Sequence, residues 1–523
     1  MKVAIAQLNY TVGDFEGNKS KIIDSICKAR DKGADLVVFA EYAISGTPCF
    51  DLLHNAPFLE ACEDTLHEIA KHCDNISVLV GLPIQNDNRI ISAAALIQNK
   101  WVVKYIGKQR ISSRFDNMGC ISMSAGSEHI EIKDNVLEVA IGEDIKDYRK
   151  FGGECDMIIS MRSQPFFRGI IEQRHNFHRN MAKELGKNVV MVNHIGGQGD
   201  FVYDGSSCAY TNDGKLVGLL NNFAEDFFIV DFDNALELEF PVQNRTYNTY
   251  RAIKLGLGDY FRKNGFKKAC LGLSGGIDSA VVLAMAAEVL GAENVRVLMM
   301  PSRFSSDHSV NDSVEMAENL GVKYNIVPIA DAYDAVNSSL KETLGDTKFD
   351  VTEENMQARL RMIMLMALSN KHGYIVLNTS NKSEAAVGYG TLYGDESGSI
   401  GIIGDLYKIE VYALARFINR ERTIIPDNII CKAPSAELRP DQKDSDSLPP
   451  YEVLDAILYR FIEEGQEIEE IITAGFDDEI VHRVVELVKN SEYKRRQTPP
   501  PLRLSSRPFS SHFIMPLINK FKM

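Results

Sequence analysis

The six residues Ser274-Gly275-Gly276-Ile277-Asp278-Ser279 combine two hydroxyls, two adjacent glycines and one carboxylate. They lie between an apolar run that reads as a strand, residues 268–273, and a helical pattern over residues 279–290. Adjacent glycines let the backbone turn tightly, so that successive N–H groups converge on one anion at the start of a helix. Ser274 and Ser279 add hydroxyl donors, and Asp278 offers the hard oxygen that a magnesium ion bridging phosphates prefers. The chemistry open to such a loop is phosphate binding. The plainer alternative is a strand-to-helix turn with a polar N-cap, but the complete pattern in this setting favours the anion site.

The elements around that loop alternate regularly. A helix through Tyr260 leads into strands at 268–273, 295–300, 324–329 and 374–379, with helices at 279–290, 310–320 and 352–371. Such alternation predicts a parallel sheet with helices on both faces. The first half is different. Strand-like runs at 3–8, 35–41, 76–82, 91–98, 136–141, 157–161, 189–193 and 227–232 are only partly separated by helical patterns, at 17–31 and 167–185. Paired strands meet around Asn99-Lys100, which predicts an α/β domain with two mixed sheets. The polar stretch Pro-Val-Gln-Asn-Arg-Thr-Tyr-Asn at 241–248 divides the two patterns, giving domains at residues 1–240 and 246–523.

Composition narrows the function classes. A chain of 523 residues exceeds one core, and 45% hydrophobic with 25% charged residues is the balance of a globular protein in water. No run reaches the apolar length of a membrane span, and residues 1–8 read as a first buried strand rather than a leader. Nine scattered cysteines with no metal-type spacing predict reduced thiols and a cytoplasmic location. A net charge of −15 argues against nucleic-acid binding. It leaves phosphorylated small molecules open, through local basic residues and magnesium.

The 274–279 loop resembles the pyrophosphatase-loop ATP-binding motif, which lacks the GK[ST] of the Walker type. Downstream, Asn378-Thr379-Ser380-Asn381-Lys382-Ser383-Glu384, Gly388-Tyr389-Gly390-Thr391-Leu392-Tyr393-Gly394-Asp395 and Gly404-Asp405-Leu406-Tyr407-Lys408 resemble NAD synthetase. So do Pro434-Ser435-Ala436-Glu437-Leu438, Asp441-Gln442, Leu448-Pro449-Pro450-Tyr451 and Tyr493-Lys494-Arg495-Arg496-Gln497. The resemblance implies a doubly wound parallel-sheet domain of the adenine nucleotide α-hydrolase-like type. It also implies the amidation of deamido-NAD to NAD through an acyl-adenylate, with release of AMP and pyrophosphate. On that resemblance Asp278, Glu384 and Lys408 carry the catalysis, with Asp278 and Glu384 as the Mg2+ ligands. ATP is bound by Ser274, Gly275, Gly276, Asp278, Ser279, Pro301, Ser302, Thr379 and Lys408. The dinucleotide is bound by Asn355, Arg359, Arg361, Asp395, Lys494 and Arg496. The same resemblance implies a homo-oligomer built on a synthetase-domain dimer.

Residues 1–240 resemble the nitrilase-like glutaminase domain that precedes some NAD synthetases, which implies an α-β-β-α sandwich. The family's site uses a glutamate base, a lysine and a cysteine nucleophile. Glu41 and Lys108 match the first two, and Gly142 stands at the cysteine position. A glycine can neither attack a carbonyl nor hold an acyl group. Ile111-Ser112 and Phe115-Asp116-Asn117 also depart from the family pattern after Lys108. These departures predict a vestigial site in which Glu41 and Lys108 remain as a buried ion pair, and free ammonia as the nitrogen donor. One alternative is glutamine, used through an unrecognised thiol such as Cys120 or Cys155 or through a partner glutaminase. An alternative of another class is a non-catalytic scaffold or ligand-binding protein, against which the complete 274–279 loop, Glu384 and Lys408 speak.

Overall fold

The computed structural model describes residues 1–87, 89–111, 120–124, 129–151, 153, 155–345, 347–440, 442–509 and 511–521. Ser112 and the Phe115-Asp116-Asn117 departure lie outside the described residues. The chain forms two compact units, Met1–Arg245 and Thr246–Met523.

In the first unit the strands are β1 (Lys2–Gln7), β2 (Leu36–Val38), β3 (Ser77–Asn86), β4 (Arg89–Gln98), β5 (Trp101–Gly107), β6 (Ile130–Ile132) and β7 (Asn135–Ile141). They continue as β8 (Met157–Arg162), β9 (Asn188–Asn193), β10 (Ile195–Gln198), β11 (Phe201–Asp204), β12 (Cys208–Tyr210), β13 (Leu216–Leu219) and β14 (Asp226–Asp231). They build two six-stranded sheets, ordered β14-β1-β2-β3-β4-β5 and β13-β12-β9-β8-β7-β6, and a β10-β11 ribbon. Each sheet has a parallel centre, β1-β2-β3 or β7-β8-β9, and antiparallel flanks.

Side chains of a strand alternate between its faces, and here the alternation sorts residues into two cores. Leu137, Val139, Ile141, Met157, Ile159, Met161, Val190 and Val192 join Val3, Ile5, Val37 and Leu79 in one buried core shared by the two sheets. The intervening Ala140, Ile158, Val189 and Met191 face outward against Met181 and Ala182 of the helix Ile170–Leu185. Ile22 and Ile26 of the helix Phe15–Asp31, with Leu66 and Ile69 of the helix Ala56–Ala70, cover the first sheet. The layers are α-β-β-α, as the resemblance implies. The helix Ala56–Ala70 escapes the periodic reading, although Asn55 caps it by accepting from the Phe58 N–H at 3.2 Å and Pro57 occupies its first turn.

The second unit has β15 (Ala269–Gly272), β16 (Val295–Met299), β17 (Lys323–Ile326), β18 (Ile375–Asn378) and β19 (Ile400–Gly401) in one parallel sheet ordered β17-β16-β15-β18-β19. The strand order reverses direction between β15 and β18. In open α/β sheets such a switch point leaves a crevice at the carboxyl ends of the two strands. The helix Ile277–Leu290 is apolar on all sides and almost wholly buried, the mark of a helix inside a domain. A separate core of Leu454, Ile457, Leu458, Val481, Val484 and Val488 holds the C-terminal helices together. Among the described residues, no helix is long and apolar enough to cross a membrane.

Ile159 points from a central strand into the core shared by both sheets and has no exposed surface. Ile159→Ala is expected to destabilise the first unit by about 2–5 kcal/mol, measured from urea denaturation followed by circular dichroism.

Candidate active site

A cavity of about 450 Å³ opens at the β15/β18 switch point. Its floor is the loop after β15. Gly275 adopts φ +78°, and a Cβ there would lie 2.6 Å from the Ser309 carbonyl oxygen, so both conformation and space demand glycine. Gly276 is extended, at φ −92° and ψ 157°, and caps the helix that begins at Ile277. The Ser274 hydroxyl accepts from the Gly276 N–H at 3.2 Å, and the Ser279 hydroxyl donates to the Gly276 carbonyl at 3.1 Å. The loop is therefore shaped by its own hydroxyls, with the helix N-terminus facing the cavity.

Three chain segments meet above it. Asn381 and Glu384 form a capping box on the helix Lys382–Val387: the Asn381 side chain accepts from the Glu384 N–H and Glu384 accepts from the Asn381 N–H. The Asn381 amide also donates to Asp278 at 2.8 Å. Lys408, first residue of the helix Lys408–Ile418, donates to Asp278 at 2.5 Å and to Glu384 at 3.2 Å. Burial pushes the Glu384 carboxyl up, with Asp278 and Asp444 adding to this and Lys408 opposing it. Burial works against the Lys408 ammonium too, but Asp278 and Glu384 outweigh it and hold the pKa above the ordinary lysine value. Asp278, Glu384 and Asp444 thus stand near a single buried lysine. That excess of hard carboxylate oxygen is the donor set a magnesium ion takes, so Asp278 and Glu384 fit the metal the resemblance implies.

Of the residues read from the sequence, Ser274, Gly275, Gly276, Asp278, Ser279, Pro301, Asn355, Arg361, Thr379, Glu384, Asp395, Lys408 and Lys494 line this one cavity. Asp395 accepts from the Thr391 N–H at 2.8 Å, the Thr391 hydroxyl donates to Asn355 at 2.7 Å, and the Lys494 ammonium donates to the Gly388 and Gly390 carbonyls. Three expected contacts are not brought to the cavity lining. Ser302 is held in its own turn, its hydroxyl accepting from the Phe304 N–H. Arg359 is exposed and donates to the Leu392 carbonyl, and Arg496, half-exposed, pairs with Glu492 at 2.7 Å. On a helix, alternate residues point to different sides, so Arg359 and Arg361 cannot share one face. Lys432 and Asp444 line the cavity without any sequence signal, and Glu437 does so from the 434–438 motif, to which no role was assigned. Asp444 accepts from the Tyr389 and Tyr451 hydroxyls. For Asn381 the capping-box spacing was a usable signal; for Asp444 there was none.

In the first unit Glu41, Lys108 and Gly142 also come together. Glu41 follows β2, Lys108 follows β5 and Gly142 follows β7. The Lys108 ammonium donates to Glu41 at 3.0 Å, with both side chains 2% exposed. Glu41 also accepts from the Ser92 hydroxyl at 2.9 Å and from Ser163 at 2.8 Å. Gly142 has φ +55°, and a Cβ built there would lie 2.5 Å from the Lys108 ammonium nitrogen and 3.0 Å from Glu41 Oε2. The space a side chain at 142 would enter is held by lysine. Asp144 fixes the chain after Lys108, accepting from the Gln109 and Arg110 N–H groups, while burial pushes its carboxyl up to about 6. Cys155 is buried in the outward-facing core under the helix Ile170–Leu185, and Cys120 lies with Asp51 and His54.

Comparison with known proteins first gives the class. Residues 249–498 match the NAD synthase family and residues 2–118 the Carbon-nitrogen hydrolase family. The chain is 38% identical to a glutamine-dependent NAD(+) synthetase of Synechocystis sp. and 36% identical to that of Thermotoga maritima, each alignment covering 99–100% of this chain and 99% of the relative. The solved structure of glutamine-dependent NAD+ synthetase from Acinetobacter baumannii in complex with ADP superposes with TM-score 0.79 at 34% identity, covering 99% of this chain and 98% of that one. The chain belongs to the family of NAD synthetases that carry an N-terminal nitrilase-like domain.

The left-handed backbone at Gly142 and the lysine beside it predict that Gly142→Ala destabilises the first unit by about 1–2 kcal/mol, read from urea midpoints. Lys108→Met leaves the Glu41 carboxylate buried without its ion-pair partner and is expected to cost about 3–5 kcal/mol. Adding Glu41→Gln should recover part of that loss, as a double-mutant cycle will measure.

Proposed function

We propose that this chain forms NAD by ATP-dependent amidation of deamido-NAD, with free ammonia as the nitrogen donor. The observation that carries the synthetase chemistry is the convergence of the 274–279 loop, Glu384 and Lys408 on one cavity. Its support is a likeness to NAD synthetases that runs the length of the chain. A nicotinate carboxylate is an anion and resists attack by ammonia. Attack of its oxygen on the ATP α-phosphorus forms a P–O bond and breaks the bond to pyrophosphate. Ammonia then adds to the acyl carbon and loses a proton as AMP departs, leaving the amide.

The loop N–H groups at Gly275 and Gly276 and the hydroxyls of Ser274 and Ser279 would receive phosphate oxygens. Lys408, released from part of its pairing with Asp278, would supply positive charge where pyrophosphate leaves. Asp278 and Glu384 would hold magnesium, which when bound neutralises phosphate charge. Asp395, Asn355, Arg361 and Lys494 line the cavity and would hold the dinucleotide. Arg359 and Arg496 take no part in this reading of a single chain.

Gly142 carries the choice of ammonia, because the position that faces the Glu41–Lys108 pair, where the family places its cysteine, has no side chain. A second reading is favoured by the relatives, whose names describe them as glutamine-dependent. The two readings separate in one measurement: NAD formation by the pure protein with ammonium and with glutamine. Ammonium is expected to support turnover, and glutamine little or none. A glutamine-supported rate abolished by thiol alkylation would overturn the choice of donor and leave the synthetase reading intact. Lys408→Met and Asp278→Asn are each expected to lower the ammonium-supported kcat by roughly 100-fold or more. Absence of AMP release from deamido-NAD, ATP, magnesium and ammonium would overturn the synthetase reading itself.

A further inference from the structure

In the first unit, the carboxylate of Asp51, the imidazole of His54 and the thiol of Cys120 offer ligand atoms that all lie within 4.8 Å of one another. The first two sit on the single 3-10 turn Phe50–His54. A 3-10 turn eclipses residues three apart, so both side chains leave the same side of that turn. Cys120 comes from a segment far along the chain, which is half-buried against the core of the first unit. Among the described residues, none of the three has a protein hydrogen-bond or ion-pair partner. Among the described residues Asp51 pairs with no lysine or arginine, whereas Asp35, Asp74 and Asp147 all have such a partner.

The donor types matter as much as the geometry. A carboxylate and a thiolate this close repel each other unless a cation lies between them, and the imidazole adds a neutral nitrogen donor for such an ion. One sulfur, one nitrogen and one oxygen form a ligand set suited to a borderline-soft divalent ion and unsuited to magnesium or calcium, which take oxygen. Three protein ligands would leave a fourth tetrahedral position to water.

We infer that Asp51, His54 and Cys120 form a binding site for a zinc-class divalent metal ion. The ion would displace the Cys120 proton and tie the turn after Glu41 to the segment after Lys108. That segment is anchored nearby: the Ser122 N–H donates to the Ile90 carbonyl and the Ser124 N–H to the Lys108 carbonyl, each at 2.7 Å. Both chain segments that leave the Glu41–Lys108 pair would thus be joined by one ion. Binding to the folded state alone would also stabilise it. The inference is independent of the nitrogen donor and of the synthetase reaction.

The test uses the full-length protein after chelator treatment, titrated with Zn2+ by calorimetry and with Co2+ by absorbance. Cobalt held by a thiolate shows a ligand-to-metal charge-transfer band in the near ultraviolet. The unmodified protein is expected to bind one zinc per chain and to show that band. Cys120→Ala should lose both. His54→Gln, at an exposed position, should weaken zinc at least by the roughly 10- to 100-fold that even outer partners of a metal ligand are worth. Cys431→Ala removes an exposed thiol elsewhere and should leave both signals unchanged. Ammonium-dependent NAD formation should survive in all three variants, showing that they fold. No zinc binding by the unmodified protein, a band that persists in Cys120→Ala, a band lost in Cys431→Ala, or unchanged affinity in His54→Gln would each overturn the site.

Discussion

Lys408 is a buried ammonium that cannot stand in a protein interior without anionic partners. Its two partners, Asp278 and Glu384, come from different segments, and the second unit is arranged so that they meet it. Asp278 lies in the first turn of the helix that follows β15, and Glu384 lies in the first turn of the helix that follows β18. Those strands are neighbours in a parallel sheet, so their following helices both begin at the same edge. The cavity is the gap that this leaves. The cluster is also unbalanced, because Asp444 adds a third carboxylate close by and burial holds Glu384 above its ordinary range. Carboxylates facing a helix N-terminus suit a metal and a polyphosphate arriving together, the metal on the oxygens and the phosphates on the N–H groups.

The first unit holds a second buried constellation, built on Glu41, Lys108 and Gly142. The Glu41–Lys108 pair is buried, and Glu41 also accepts from two serine hydroxyls. Its groups are satisfied by one another, with the lysine filling the volume in front of Gly142. A buried ion pair of this kind contributes little net stability, yet breaking it is costly. That asymmetry is a physical reason for a glutamate and a lysine to stay paired at a buried site whether or not they take part in chemistry.

Much of this was legible in the residues. The period-two runs of the first half sort into two cores because one face of each strand meets the opposing sheet and the other a helix. The alternation of the second half became a parallel sheet for the reason it suggested. Thirteen of the residues read as ligands line a single cavity, since the motif residues follow strands whose ends converge. The residues left outside the cavity lining are so for local reasons. Ser302 belongs to a turn rather than the cavity wall, and Arg359 lies on the opposite side of its helix from Arg361. Arg496 is taken by Glu492 at i−4, the ordinary fate of a basic residue on a helix.

The sequence by itself determined the class of chemistry and the absence of a side chain at position 142, because both depend on which atoms a residue carries. It placed the start of several helices to within about three residues, since capping residues and glycines act over that range, while the helix Ala56–Ala70 escaped it. Tertiary structure alone decided that Lys108 occupies the space beside Gly142, that Asp444 joins Asp278 and Glu384 around Lys408, and that Asp51 and His54 meet Cys120. Each of these is a contact between segments far apart in the chain. Local sequence pattern carries no record of such distances, which are set when sheets and helices pack to bury their apolar faces.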